Sequence, residues 1–158
     1  QFPEIIFSIL LIDEKDNYQY FCHKYKVSNK LKKNLSFIAE NYIKFKEEKD
    51  YLKKDLKKNI YRVGKNNIKN LLGFIYCAES NFSIKLFNNI VTEINKINIP
   101  IFPFNGERLM KQGLHDGKKI GYALKELEKE WVQNDFNLSS KEIDSILNKI
   151  KKLDILNT

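Results

Sequence analysis

The sequence predicts an all-α protein: an antiparallel array of about seven to nine helices, with a proline-rich crossing and a glycine turn in its C-terminal half. Apolar side chains recur at three-, four- and seven-residue steps along most of the 158 residues. Helix breakers are scarce, with six glycines and three prolines, and the connections between apolar stripes are short. The apolar fraction of 42% supplies a core and sets aside wholesale disorder, because a chain of this length buries about 68% of its surface on folding.

The elements follow in order. Ile5 to Ile12 is the longest apolar run, far below the roughly 20 residues of a membrane span. It follows Glu4 and no basic segment, so it reads as neither anchor nor signal peptide, and no membrane partner is expected. Val27, Leu31, Leu35, Ile38, Tyr42 and Phe45 make a helical stripe with Ser28 as its N-cap. Leu52, Leu56, Ile60 and Val63 make the next, on a helix placed near residues 46 to 63 and closed by Gly64. Ile68, Leu71, Leu72, Ile75 and Tyr76 form a third stripe, and Phe82, Leu86, Phe87, Ile90, Val91, Ile94 and Ile97 a fourth.

Two prolines in Ile99-Pro-Ile-Phe-Pro-Phe104 then remove helix and favour an extended crossing. A short helix from Glu107 to Lys111 leads into Gly113-Leu-His-Asp-Gly117. Ile120, Leu124, Leu127 and Trp131 mark a long helix that starts near Asp116. Ser139 and Glu142 stand in capping-box spacing before Ile143, Ile146, Leu147, Ile150 and Leu153. No fixed-period repeat argues for a solenoid. Residues 1–98 read as a basic helical body and 99–158 as a tail, together one compact unit. Gln1 opens the chain without a methionine, so the sequence is read as part of a longer protein.

Chemistry-bearing patterns are few. Cys22 and Cys77 form no disulfide framework and read as reduced, cytoplasmic thiols. Cys22 adjoins His23, but adjacent ligands suit tetrahedral zinc poorly, and Cys77 and His115 have no ligand-spaced partners. The sequence contains no Gly-x-Ser-x-Gly, His-Glu-x-x-His, glycine-rich phosphate loop or Asp-x-Asp pair, so no catalytic or metal residues are assigned.

Charge is more informative. The formal net charge is +8, and residues 24 to 69 hold 15 Lys or Arg against 5 Asp or Glu, a net of +10. Lys49, Lys53 and Lys57 fall at four-residue spacing, with Lys54 and Lys58 as a second row. Such rows attract phosphates in a salt-dependent way, although a solvated face of a lysine-rich chain has the same pattern. Arg62 and Arg108 are the two arginines among 28 basic residues. A guanidinium at 62 suits bidentate phosphate contact, or equally a half-buried salt bridge.

In the glycine turn, Gly113 suits a left-handed C-cap and Asp116 an N-cap. The amides around Gly117, Lys118 and Lys119 form a dipole end where a phosphate fits, and both lysines add charge. Gly117 and Gly121 would let another backbone approach. The alternative is that both glycines serve packing and Asp116 already satisfies the amides.

The run from Ile101-Phe-Pro-Phe-Asn-Gly-Glu-Arg-Leu through Gly113-Leu-His-Asp-Gly-Lys-Lys-Ile-Gly121 to Trp131, then Phe136, resembles the C-terminal signature of bacterial tRNA CCA-nucleotidyltransferases and their poly(A) polymerase relatives. There a Phe-Pro-x-x-Gly-x-Asp-Leu segment precedes a Leu-Gly turn, Pro-Gly-x-x-x-Gly and a helix ending in Trp. Leu56-Lys-Lys-Asn-Ile-Tyr-Arg-Val-Gly64 is similar to that family's Leu-Tyr-Arg-Leu-Gly run, and Val27-Ser-Asn to Leu35 to its Leu-Ser-Asn stretch. Arg108 stands where the family usually has Asp, which puts a local contact in question. Asp116 and Lys118 replace prolines beside Gly117.

The resemblance implies a parent enzyme whose N-terminal head holds magnesium on paired aspartates and selects CTP or ATP. None of those motifs lies in these residues, so no cofactor is expected here. What remains resembles the body and tail that grip tRNA, with tRNA or another RNA and the parent's head as partners. Lys49, Lys53, Lys57, Arg62, Gly117, Lys118 and Lys119 are the candidate RNA contacts. The competing reading is a non-catalytic structural or protein-interaction module with solvated lysines.

Overall fold

A computed structural model describes residues 2–13, 15–48 and 50–152. Among these residues there are nine helices and no strand. They are α1 (Phe2–Leu11), α2 (Asn17–Lys24), α3 (Asn29–Glu47), α4 (Leu56–Val63), α5 (Lys65–Ala78), α6 (Ile84–Lys96), α7 (Gly106–Lys111), α8 (Gly117–Gln133) and α9 (Ser140–Lys151). The all-α expectation holds. The chain divides between Ile99 and Pro100 into two compact units.

In the first unit α5 is the hub, packed by α1, α3, α4 and α6. Its apolar residues run round more than one face, so Ile68, Leu71, Leu72, Phe74 and Ile75 are all buried. Ile38, Leu56, Ile60, Ile90 and Ile94 reach the same core from α3, α4 and α6. α1 crosses α5 at Gly73, where a Cβ would sit 3.1 Å from the Ile5 Cδ1.

The apolar run at Ile5 to Ile12 is this crossing helix, and its pattern is inverted. Ser8 is buried and Glu4 half-buried, whereas Ile6, Ile9 and Leu10 are exposed. The Ser8 hydroxyl donates to the Ile5 carbonyl at 2.7 Å. Glu4 Oε2 accepts from the buried amides of Asn34 on α3 (3.0 Å) and Asn70 on α5 (3.1 Å). One carboxylate therefore ties three helices. Glu4→Leu is expected to leave both amides without an acceptor, at about 1–3 kcal/mol each. A urea midpoint unchanged from the parent chain would contradict this.

The helix expected near residues 46 to 63 is not continuous. α3 ends at Glu47, and Asp50 to Asp55 is a series of turns. The Asp50 carbonyl accepts the amides of Lys53 and Lys54 at 2.9 Å, and Asp55 at φ 53° reverses the backbone before α4 starts. Aspartate tolerates this left-handed conformation better than most side chains. Leu52 and Leu56 both reach the core across the break, so the apolar stripe survives although the helix does not.

The second unit starts with the proline segment, which carries no helix, and packs α8 against α7 and α9. Gly113, at φ 84°, closes α7 in a Schellman arrangement: its amide donates to the Met110 carbonyl (2.9 Å), and the Leu114 amide to the Leu109 carbonyl (3.1 Å). Trp131 is buried between Phe102 (5.4 Å between centroids) and Phe136 (5.0 Å). α9 opens with the expected capping box, in which Ser139 and Glu142 exchange hydrogen bonds. The Ser139 hydroxyl and amide hold the Glu142 carboxyl below its ordinary pKa, so this cap is present above the usual carboxylate range and is lost as the pH falls below it. Leu153 lies outside the described residues.

Candidate nucleic-acid interface

The positive segment runs from the end of α2 through α3, the following turn and α4 into the first turns of α5. Lys30, Lys32, Lys33, Lys44, Lys46 and Arg62 are exposed on these helices. Of the expected lysine row, Lys49 lies outside the described residues, Lys53 is exposed in the turn, and Lys57 is exposed on α4. Because Asp55 breaks the helix between them, Lys53 and Lys57 do not share one helical face. That corrects the four-residue row. The second row is engaged locally: Lys54 pairs with Glu48 at 2.7 Å and Lys58 with Asp55 at 3.3 Å. The Glu48 hydrogen bond and charge raise the Lys54 pKa, so its ammonium is retained.

Arg62 sits in the last turn of α4 and is exposed, so the half-buried salt bridge is not formed among the described residues. It lines a cavity of about 250 Å³ between α3, α4 and α5. Phe37, Leu56, Val63, Ile68 and Leu71 supply apolar walls. Asn41, Tyr51 and Asn59 add polar atoms, and Lys44 and Arg62 are the exposed lining residues, so two cations mark the mouth. Asn41 is buried; its side-chain amide donates to the Phe37 carbonyl at 2.6 Å, and its oxygen accepts from the Tyr51 hydroxyl. Burial raises the Tyr51 pKa, which keeps that hydroxyl protonated.

Sequence reasoning named Arg62 but missed Lys44, Asn41 and Tyr51, which are brought together only by the packing of α3 on α5 and by the turn after α3. One signal was present. Asn34 and Asn41, seven residues apart, put amides on the buried stripe of α3.

In the second unit the amides of the glycine turn find a partner within the chain. Asp116 Oδ1 accepts from the amides of Lys118 (2.7 Å) and Lys119 (3.1 Å). Two N-terminal amides of α8 are thus capped by a carboxylate within the chain, the arrangement of the alternative reading. The Lys119 ammonium turns to the Lys151 carbonyl (3.1 Å), and the Lys151 ammonium to the Gln112 carbonyl (2.7 Å). These contacts satisfy carbonyls at the C-terminal ends of α9 and α7, where a cation is favoured. Lys118 stays exposed. Nothing lies within 4 Å of a Cβ placed on Gly117 or Gly121, so neither glycine is packed against another element among the described residues. Arg108, the departure from the family pattern, donates to the Pro103 carbonyl (3.0 Å) and lies 4.4 Å over the Phe104 ring, fastening α7 to the crossing.

Two predictions separate these roles. Lys119→Met is expected to lower the melting temperature of the second unit and leave RNA affinity unchanged. Lys118→Glu is expected to weaken tRNA binding severalfold without changing that melting temperature. Calorimetry and fluorescence anisotropy check the pair, and the reverse assignment of effects would refute both.

No group of three or more His, Cys, Asp or Glu able to hold a metal ion occurs among the described residues, and no step is assigned to a metal in this chain. Cys22 is buried and Cys77 exposed, and both are free thiols. None of the described helices is long and apolar enough to cross a membrane.

No family model matches the sequence, and no solved structure matches it. Among characterised proteins it is similar to the mitochondrial CCA tRNA nucleotidyltransferase 1 of three vertebrates. With that of Danio rerio it shares 36% identity over 62 residues, which is 39% of this chain and 14% of the relative. The Homo sapiens protein is 33% identical over 63 residues and the Mus musculus protein 31% over 65, or 40% and 41% of this chain. Each match covers 14% of the relative's length, so the likeness is to one region of a much longer tRNA nucleotidyltransferase.

Proposed function

We propose that this chain is the RNA-holding region of a tRNA CCA-adding or poly(A)-adding nucleotidyltransferase, with nucleotidyl transfer carried by a catalytic head outside these residues. The observation that carries the reading is the net +10 of residues 24 to 69, a large part of it displayed on exposed lysines and Arg62 of α3, the following turn and α4. Similarity to proteins named for CCA addition favours that form over the poly(A) form. Lys53, Lys57 and Arg62 meet backbone phosphates, as does Lys49, and Lys118 adds one contact from the second unit. Phosphate contacts fix the register of an RNA without reading its sequence. The effect on catalysis is positional: a held RNA presents its 3′ end to the head, and an encounter becomes an oriented, effectively intramolecular reaction. Magnesium and CTP or ATP belong to the head. The cytoplasm is the proposed compartment, on the free thiols of Cys22 and Cys77.

Binding of tRNA across a salt series tests the reading. Five phosphate contacts predict a slope of about −4 to −5 in log K against log salt, at roughly −0.9 per phosphate on a duplex. No binding above that of a neutral control protein at low salt would overturn it. The exposed Ile6, Ile9 and Leu10 of α1 favour a second reading, a protein-interaction module. A stable homodimer with salt-independent RNA binding would select it.

A further inference from the structure

We propose that the cavity between α3, α4 and α5 takes one unstacked RNA base, with the adjoining phosphate held at its mouth by Lys44 and Arg62. This rests on the RNA-holding reading and adds to it a site that contacts the base as well as the backbone. Three features of the cavity converge on that ligand.

The first is size. About 250 Å³ lies below the roughly 300–1,000 Å³ of sites that enclose drug-sized ligands, so there is room for one ring system. The second is the lining. Phe37 and Tyr51 are half-buried aromatics facing a space otherwise walled by Leu56, Val63, Ile68 and Leu71, and splayed-out bases stack on such side chains. Asn41 uses one amide hydrogen on the Phe37 carbonyl; an amide carries a second, which can reach a ring nitrogen or carbonyl of a base. The Tyr51 hydroxyl donates to Asn41 and is left as an acceptor. The third is the mouth, where Lys44 and Arg62 are exposed cations above an apolar interior. A neutral apolar ligand would gain nothing from them, and an inorganic anion would leave the apolar walls unfilled. A nucleotide uses both.

The experiment titrates the full chain, labelled at its methyl groups, with a single-stranded adenosine dodecamer and with an abasic ribose-phosphate dodecamer of the same length. The base-bearing RNA is expected to shift the methyl resonances of Val63, Ile68 and Leu71, and the abasic strand to leave them in place. Val63→Phe, which fills the cavity, is expected to weaken the base-bearing RNA at least about fivefold and the abasic strand not at all. Arg62→Gln is expected to weaken both strands. If Val63→Phe loses its helical signal, the methyl shifts decide alone. Equal affinity for the two strands with unmoved methyls would overturn the base site and leave the RNA-holding reading standing. Failure of both strands to bind at low salt would remove both.

Discussion

Truncating Leu127 to alanine is expected to cost about 2–5 kcal/mol and to melt the second unit ahead of the first. Leu127 is fully buried, in a small cluster with Phe104, Leu109, Leu114, Leu147 and Ile150. A unit near 60 residues buries only about 60% of its unfolded surface, so its margin is thin and one cavity is a large fraction of it. The single tryptophan, Trp131, belongs to this unit, and its fluorescence reports the local transition while far-ultraviolet dichroism follows all the helices. The variant should show a fluorescence midpoint well below the dichroism midpoint. Coincident transitions at the parent temperature would mean that Leu127 does not support the second core.

Reversing three charges at once, Lys53→Glu, Lys57→Glu and Arg62→Glu, is expected to lower tRNA affinity by about two orders of magnitude or more at 50 mM salt, and to flatten the salt slope by roughly 3. All three side chains are exposed, and none belongs to the buried core. Arg62 lies in the last turn of α4, where a carboxylate opposes the helix dipole at about 0.3–1 kcal/mol, far below what unfolding requires. Dichroism should therefore be retained while anisotropy with labelled tRNA collapses. Retained affinity with an unchanged slope would move the phosphate contacts off α4 and the turn before it.

The similarity to CCA-adding enzymes and the cavity bear on different parts of this picture. The similarity, confined to 14% of each relative, says nothing of individual side chains. The cavity with cations at its mouth supplies a local chemistry that can be tested on this chain alone.

The sequence by itself determined what is local. Helix periodicity and end signals placed α3, α5, α6, α8 and α9, with the caps at Ser28, Asp116 and Ser139, because capping hydrogen bonds span only two or three residues. The same local logic failed between Glu47 and Leu56, where apolar spacing alone cannot distinguish a helix from turns that present the same leucines to one core. It also gave no place to α1, whose buried face holds Glu4 and Ser8; the amides of Asn34 and Asn70, brought in from two other helices, make the burial of Glu4 favourable, while Ser8 bonds to its own helix. Tertiary structure likewise decided which lysines bind within the protein. Lys119 and Lys151 look like their exposed neighbours in sequence, yet each meets a helix C-terminus more than thirty residues away. Formal charge is a property of the chain, but the partner that a charge meets is set by packing.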